Sequence, residues 1–331
     1  MKNFVLAAII IASVFAGCKN DLDVTADYKE ITVVYGLLNQ RDTAHYIKIN
    51  KAYLGEGSAF VMAGVADSIN YQAADLDVKL EEYNANGVLT NSFTLSRTVN
   101  EIAKDTGLFA TDANVLYKLK QRLDSTRSYK LIVNNNKTGN TITSQTNLIK
   151  TLTIQSPALN STINLIPINN LPFTVKFKSE KYAQVYSLTI RFNYFDDVNG
   201  VLTSRFVDWR FPNVKSSNAN GGEDVLIPLD GDGLFRVLQD ELEPPPVGTV
   251  RRSGKLQFMF YAGGEELSTY LDVNGPSNTL QQEKPEYTNI VNGLGIFSSR
   301  LNINRNNITM APQSLDSLLN GRFTDDLGFV N

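Results

Sequence analysis

Apolar and polar positions alternate with a period of two along much of this chain, in short runs separated by Asn, Asp, Gly and Ser. That period turns one face of each run toward a core and the other toward water, the pattern of half-buried strands. Residues 30–38 and 45–51 read as a strand pair around a turn at 39–42, with Ile47 and Ile49 inward and Lys48 and Asn50 outward. His45 is assigned to the polar face of this pair. Residues 55–74 mix small and apolar side chains and leave room for a helical turn. Residues 77–83 and 88–95 form a hairpin around Asn84-Ala-Asn-Gly87, since Asn and Gly tolerate positive φ.

Leu123, a short polar link and then Tyr129 opening the alternating run 129–133 resemble the tyrosine corner of immunoglobulin-like and fibronectin-like sandwiches. Tyr129 is expected to bury its ring and return its hydroxyl to the backbone a few residues upstream. A last strand of this half is expected over 140–149, and a break falls near Ser156-Pro157. Beyond it, strands are expected at 173–177, 185–194, 202–211 and 255–261, with a hairpin turn at Asp196-Asp-Val-Asn-Gly200 and an exposed loop over 215–224. A helix capped by Asp232 carries Phe235, Leu238 and Leu242 on one face and cannot continue through Pro244-Pro-Pro246. Leu315, Leu318 and Leu319 suggest a second short helix. The expected fold is mainly β, an N-terminal immunoglobulin/fibronectin-like β-sandwich over 29–150 followed by a second β-rich domain over 151–331 with one or two short helices.

The start of the chain is different. Lys2 precedes an apolar run from Phe4 to Phe15, broken only by Ser13, and Ala16-Gly17-Cys18 follows. The run has the length of a signal h-region, short of the roughly 20 residues that span a bilayer. It has essentially no polar face, which disfavours a buried core helix. Small residues before a cysteine resemble the lipobox of bacterial lipoproteins, with Phe15 where that motif usually has Leu. On this reading 1–17 is a signal peptide, Cys18 is lipidated and 18–28 is a tether, with the membrane reached through the lipid on Cys18. Cys18 is the only cysteine among 331 residues, so no intramolecular disulfide can form. Lys19, Asp21 and Asp23 resemble the signal that sends lipoproteins of the Bacteroidota to the outer face of the outer membrane.

Charge narrows the choice of partner. A net charge of −3, with both signs interspersed, gives no basic field for nucleic acid. Catalytic patterns are sparse. The single histidine cannot build a His-rich zinc site, and no Gly-x-Ser-x-Gly elbow accompanies it. Asp230-Gly-Asp232-Gly opens like a calcium loop, but Leu234 stands where a ligand belongs and Phe235 where glycine is needed, so Asp232 reads better as a helix cap. Asp196-Asp197 and Glu265-Glu266 are the close acidic pairs, both expected on solvated loops. No catalytic, cofactor-binding or metal site is assigned. Trp209, Tyr194, Phe195, Phe206 and Phe211 fall near one another on successive strands, where core packing is the commoner role and a sugar platform the alternative. Asp42-Thr43, Asp67-Ser68, Asp124-Ser125 and Asp316-Ser317 resemble acceptors of general O-glycosylation in Bacteroidota.

Cys18, the early Val33-Val-Tyr-Gly-Leu-Leu-Asn39 and the late Pro285-Glu-Tyr-Thr-Asn-Ile-Val-Asn-Gly-Leu-Gly-Ile-Phe297 together resemble a family of Bacteroidota lipoproteins whose genes often accompany TonB-dependent outer-membrane receptors. Phe297 is expected as a core anchor beside a glycine-punctuated segment. The resemblance implies an outer-membrane, surface-exposed protein with a non-catalytic binding or accessory role beside such a receptor, taking a glycan or a peptide as ligand. An envelope-tethered hydrolase, or a structural and adhesive surface protein, is the rival expectation.

Overall fold

The computed structural model describes residues 30–52, 64–104, 113–218, 220–275 and 286–330. Cys18, Lys19, Asp21 and Asp23 lie outside the described residues, as does Pro285. The described chain is mainly β. Its first part holds β1 (Ile31–Leu38), β2 (His45–Ala52), the single turn α1 (Ala66–Ile69), β3 (Leu76–Tyr83), β4 (Leu89–Thr94), β5 (Ser96–Val99), β6 (Val115–Leu119), β7 (Ser128–Asn135) and β8 (Thr141–Asn147). Five short strands and two long ones follow: β9 (Thr153–Ser156), β10 (Thr162–Ile163), β11 (Thr174–Lys178), β12 (Val185–Val198), β13 (Val201–Arg210), β14 (Val214–Lys215) and β15 (Asp224–Pro228). The last part is α2 (Gly233–Glu241), β16 (Thr249–Gly263), α3 (Glu265–Asn274), β17 (Leu294–Met310), α4 (Pro312–Asn320) and β18 (Phe329–Val330).

Alternation decides which faces close. In β7 every second residue is buried, and Leu131 and Val133 meet Val78 and Leu80 of β3 in one core with Val34 of β1 and Ile47 and Ile49 of β2. Two sheets therefore share this first core. One is β4-β3-β7-β8, and the other is the β5-β6-β2-β1 end of an 11-stranded sheet. That large sheet continues through β17, β16 and β12 to β13, over a second core closed by the β15-β11-β9 sheet and by α2. Phe177 of β11 meets Phe260 of β16 edge-on, with ring centroids 5.6 Å apart.

β17 joins the two halves. Leu294 to Ser299 pair in parallel with β1, and from Arg300 onward the same strand pairs antiparallel with β16. Phe297 is fully buried in the first core, together with Ile290, although both lie late in the sequence. Asn289 fixes Phe297 from the side, its Nδ2 donating to the Phe297 carbonyl at 2.6 Å and its Oδ1 accepting from the Phe297 amide at 2.9 Å. Gly295 sits at φ +105, and any side chain there would overlap the Val34 carbonyl oxygen.

Several local expectations need correction. His45 is buried, because it shares strand parity with Ile47 and Ile49; its Nε2 donates to the Gln121 carbonyl at 3.1 Å, and burial pushes its pKa down. Asp196 and Asp197 lie within β12, and the turn is made by Asn199 and Gly200, both at positive φ. Glu265 and Glu266 open helix α3 instead of lying on a loop. Asp232 occupies the N-cap position of α2 without a capping bond; its carboxylate instead meets Arg322 at 2.9 Å.

Candidate binding groove

Two buried tyrosines organise one end of the molecule, each near the start of a strand and each holding the turn just upstream. Tyr129 is fully buried in β7, and its hydroxyl accepts the amide hydrogen of Asp124 at 2.8 Å while donating to Glu82 Oε2 at 2.9 Å. The Asp124 carboxylate then accepts from the amide and the hydroxyl of Thr126, both at 2.8 Å, which closes the turn on itself. Burial and the adjoining Glu82 carboxylate push the Tyr129 hydroxyl far above the ordinary tyrosine value. Burial pushes the Glu82 carboxyl up, but hydrogen bonds from Thr90, Asn91 and Tyr129 outweigh it and hold the pKa below the usual value.

Tyr186, in β12, repeats the arrangement. Its hydroxyl accepts from the Glu180 amide at 3.0 Å and donates to the Ala183 carbonyl at 3.2 Å. The held turn carries Tyr182 at φ +67, a left-handed conformation that bulky side chains rarely take. Behind it the backbone of Gly221 approaches so closely that an added Cβ would lie 2.6 Å from the Lys181 amide nitrogen. Ser179 ties the same turn to Glu223, with a 2.7 Å backbone bond and a 2.9 Å bond from the Glu223 amide to its hydroxyl.

Between the two turns lies a groove of about 540 Å³. Ser125, Thr126, Arg127 and Ser128 form one wall and Lys181 and Tyr182 another, while Gln145, Asn147 and Lys150 come from β8 and its continuation. The Asn84 to Gly87 hairpin closes the end. The lining holds three cationic side chains and no carboxylate. Arg127 reaches Asp124 at 3.5 Å, whereas neither Lys150 nor Lys181 has a carboxylate within ion-pair distance among the described residues. Lys181 Nζ sits 4.7 Å from the centre of the Tyr182 ring, which is more than a third exposed. Such a surface offers amide, hydroxyl and ammonium donors with one aromatic face, a composition for holding a polar ligand.

Groups of catalytic appeal are occupied elsewhere. Asp197 pairs with Arg252 at 2.7 Å, and Asp196 lies between Arg205 at 3.1 Å and Arg251 at 3.4 Å. Neighbours in a strand face opposite sides of the sheet, so these two carboxylates do not converge on one reacting bond. Glu266 is drawn into the junction of α3 and β17, where the Ser298 hydroxyl donates to it at 2.7 Å and burial pushes its pKa up. Among the described residues no group of three His, Cys, Asp or Glu side chains could hold a metal ion. The aromatic cluster divides, since Tyr194 and Trp209 are buried while Phe206 is exposed beneath the Arg191 guanidinium, 3.7 Å from its ring centre.

The groove is not visible in the sequence as a motif, since its residues come from four separated segments. Tyr186 carried a usable signal, because it stands near the head of an alternating run just as Tyr129 does. Lys150 and Lys181 carried none. Among the described residues no helix is long and apolar enough to cross a membrane. No protein-family model matches the chain, and no curated protein matches it either.

Proposed function

We propose that this chain is a lipoprotein of the outer membrane, anchored through lipid on Cys18 and exposed at the cell surface, whose folded part binds a ligand without transforming it. It serves as an accessory to a TonB-dependent receptor. The N-terminal half is read as an immunoglobulin/fibronectin-like sandwich, a reading supported by the Tyr129 hydroxyl returning to Asp124. The observation that carries the binding role is the groove between the turns held by Tyr129 and Tyr186, whose walls are fixed before any ligand arrives. A wall fixed in advance loses little freedom on binding, so more of each contact appears as affinity. The anchor rests on the apolar run and Ala16-Gly17-Cys18.

Metabolic labelling with a palmitate analogue, followed by gentle extraction and mass spectrometry of co-purifying proteins, tests both parts. The wild type is expected to take the label and to bring down a TonB-dependent barrel, and Cys18→Ala is expected to do neither. Equal labelling of both forms defeats the anchor, and recovery of labelled protein without any barrel defeats the accessory role.

A further inference from the structure

We infer that the groove takes an anionic saccharide, a sugar chain carrying carboxylate or sulfate groups, with Lys150, Lys181 and Arg127 receiving the charge and Tyr182 the sugar ring. The inference rests on the binding role proposed above and names the ligand class of that site.

Charge comes first. A chain with a net charge of −3 has assembled three cations around one groove whose lining contains no carboxylate. The ammonium groups of Lys150 and Lys181 have no carboxylate partner among the described residues. A larger depression of about 680 Å³ makes the contrast: there Arg252 is paired with Asp197 at 2.7 Å, and Lys255 is bonded to Thr309 at 2.8 Å. Both of its cations are committed to the fold, whereas in the groove only Arg127 is, through Asp124 at 3.5 Å, and Phe195, Met310 and Leu315 give the larger depression an apolar lining.

The neutral lining then favours a sugar over a simple anion. Gln145, Asn147, Ser125 and Ser128 present amides and hydroxyls, which match the mixed donor and acceptor character of sugar hydroxyls. The Tyr182 ring adds a flat apolar face of the kind that packs against the C–H side of a pyranose. A volume of about 540 Å³ lies within the range of small-ligand sites.

Strain is the third argument. Tyr182 holds φ +67, where glycine would be comfortable and a tyrosine costs free energy. The turn is pressed against Gly221 and held by Tyr186, so the surrounding structure imposes that conformation and presents the ring at the groove. A position that suits glycine but carries an exposed aromatic ring is one where the ring has a use.

The test is calorimetric titration of the full chain in mild detergent with three oligosaccharides of matched length: an oligogalacturonate, a heparin-type sulfated oligosaccharide and a neutral malto-oligosaccharide. Inorganic sulfate serves as a fourth arm. At least one of the charged sugars is expected to bind, more weakly as salt is raised, and the carboxylated and sulfated arms tell which anion is preferred. Lys150→Ala combined with Lys181→Ala is expected to weaken binding by about tenfold or more, or roughly 1.4 kcal/mol. Tyr182→Gly is the decisive variant: its Tm should be unchanged or higher, because the strain is relieved, while its affinity for the charged sugar falls by a similar factor. Equal binding of the neutral sugar, competition by inorganic sulfate at equal concentration, no binding of either charged sugar, or full affinity in Tyr182→Gly would each overturn the inference. If the barrel still co-purifies when no sugar binds, the accessory role stands and only the ligand assignment fails.

Discussion

Gly36 of β1 lies directly opposite Phe297 of β17, and a methyl group built on Gly36 would stand 2.9 Å from Phe297 Cδ2. Two segments that drew attention in the sequence thus meet at their ends, Val33 to Gly36 pairing in parallel with Leu294 to Phe297, and the small residue of one makes room for the ring of the other. Gly36→Ala is expected to destabilise the first core by about 1–3 kcal/mol through overpacking. Denaturant unfolding followed by far-UV circular dichroism measures it, and Phe297→Leu in the same chain should recover part of the loss. A single mutant as stable as the parent would mean that the ring moves aside freely.

Asn289 gives a second prediction at the same place. Asn289→Ala removes both side-chain bonds to the Phe297 backbone and leaves a buried amide and carbonyl unsatisfied, which costs about 1–3 kcal/mol for each group left without a partner. Slower hydrogen exchange at the Phe297 amide in the parent than in the variant, with little change in β12, is the expected local signature.

The two tyrosine pins should separate by the partners they leave behind. Tyr186→Phe releases the half-buried Glu180 amide and the buried Ala183 carbonyl, both neutral groups, so a loss of about 1–2 kcal/mol is expected. Tyr129→Phe also withdraws a donor from the buried Glu82 carboxylate, so the loss is larger, up to about 3 kcal/mol. Equal effects from parallel unfolding curves would show that Glu82 finds a substitute donor.

A buried carboxyl, Glu82, and a half-buried one, Glu266, give opposite pH signatures. Glu82 is held below its ordinary value of 4.5, so it contributes stability above that pH, which is lost as the pH falls through the lowered value. Glu82→Gln should therefore be less stable than the parent at neutral pH, with the gap narrowing on acidification. Glu266 is raised above 4.5 by burial, so its contribution is complete below that pH and is lost as the pH rises through the raised value. Glu266→Gln should match or exceed the parent at neutral pH and show no advantage under acid. Thermal melts across the acidic range decide both signs.

Sorting supplies a prediction about the cell. Under the proposed function, replacing Lys19, Asp21 and Asp23 with Ala should leave the lipid on Cys18 in place and move the protein from the outer surface to the periplasmic face, because acyl chains alone would provide membrane affinity. Protease added to intact cells should then cleave the wild type and spare the variant. A wild type that resists the protease would remove the surface assignment.

Local order was readable from the residues; long-range order was not. The period-two runs led to strands at β2, β3, β7 and β12, and the apolar stripe of Phe235 and Leu238 led to α2. Parity alone would have buried His45, which the polar label on histidine obscured. The pairing of β1 with β17 left no local trace, since parallel neighbours far apart in sequence share no turn. The groove is harder still, because Arg127, Lys150 and Lys181 become neighbours only once the β8 strand and the Tyr186 turn are both in place.

The insertion of β17 also sets an order of events. Residue 33 finds its parallel partner at residue 294, so the first core stays open until most of the chain has been made. Such distant pairing raises contact order and slows folding. Until Phe297 arrives, β1 presents an unpaired edge and an unfilled core beside it, an aggregation hazard for a chain made from its N-terminus. A chain stopped anywhere between 150 and 294 would keep that edge, so premature termination yields a sticky fragment and not a smaller working protein, and a holding chaperone would find its natural client here.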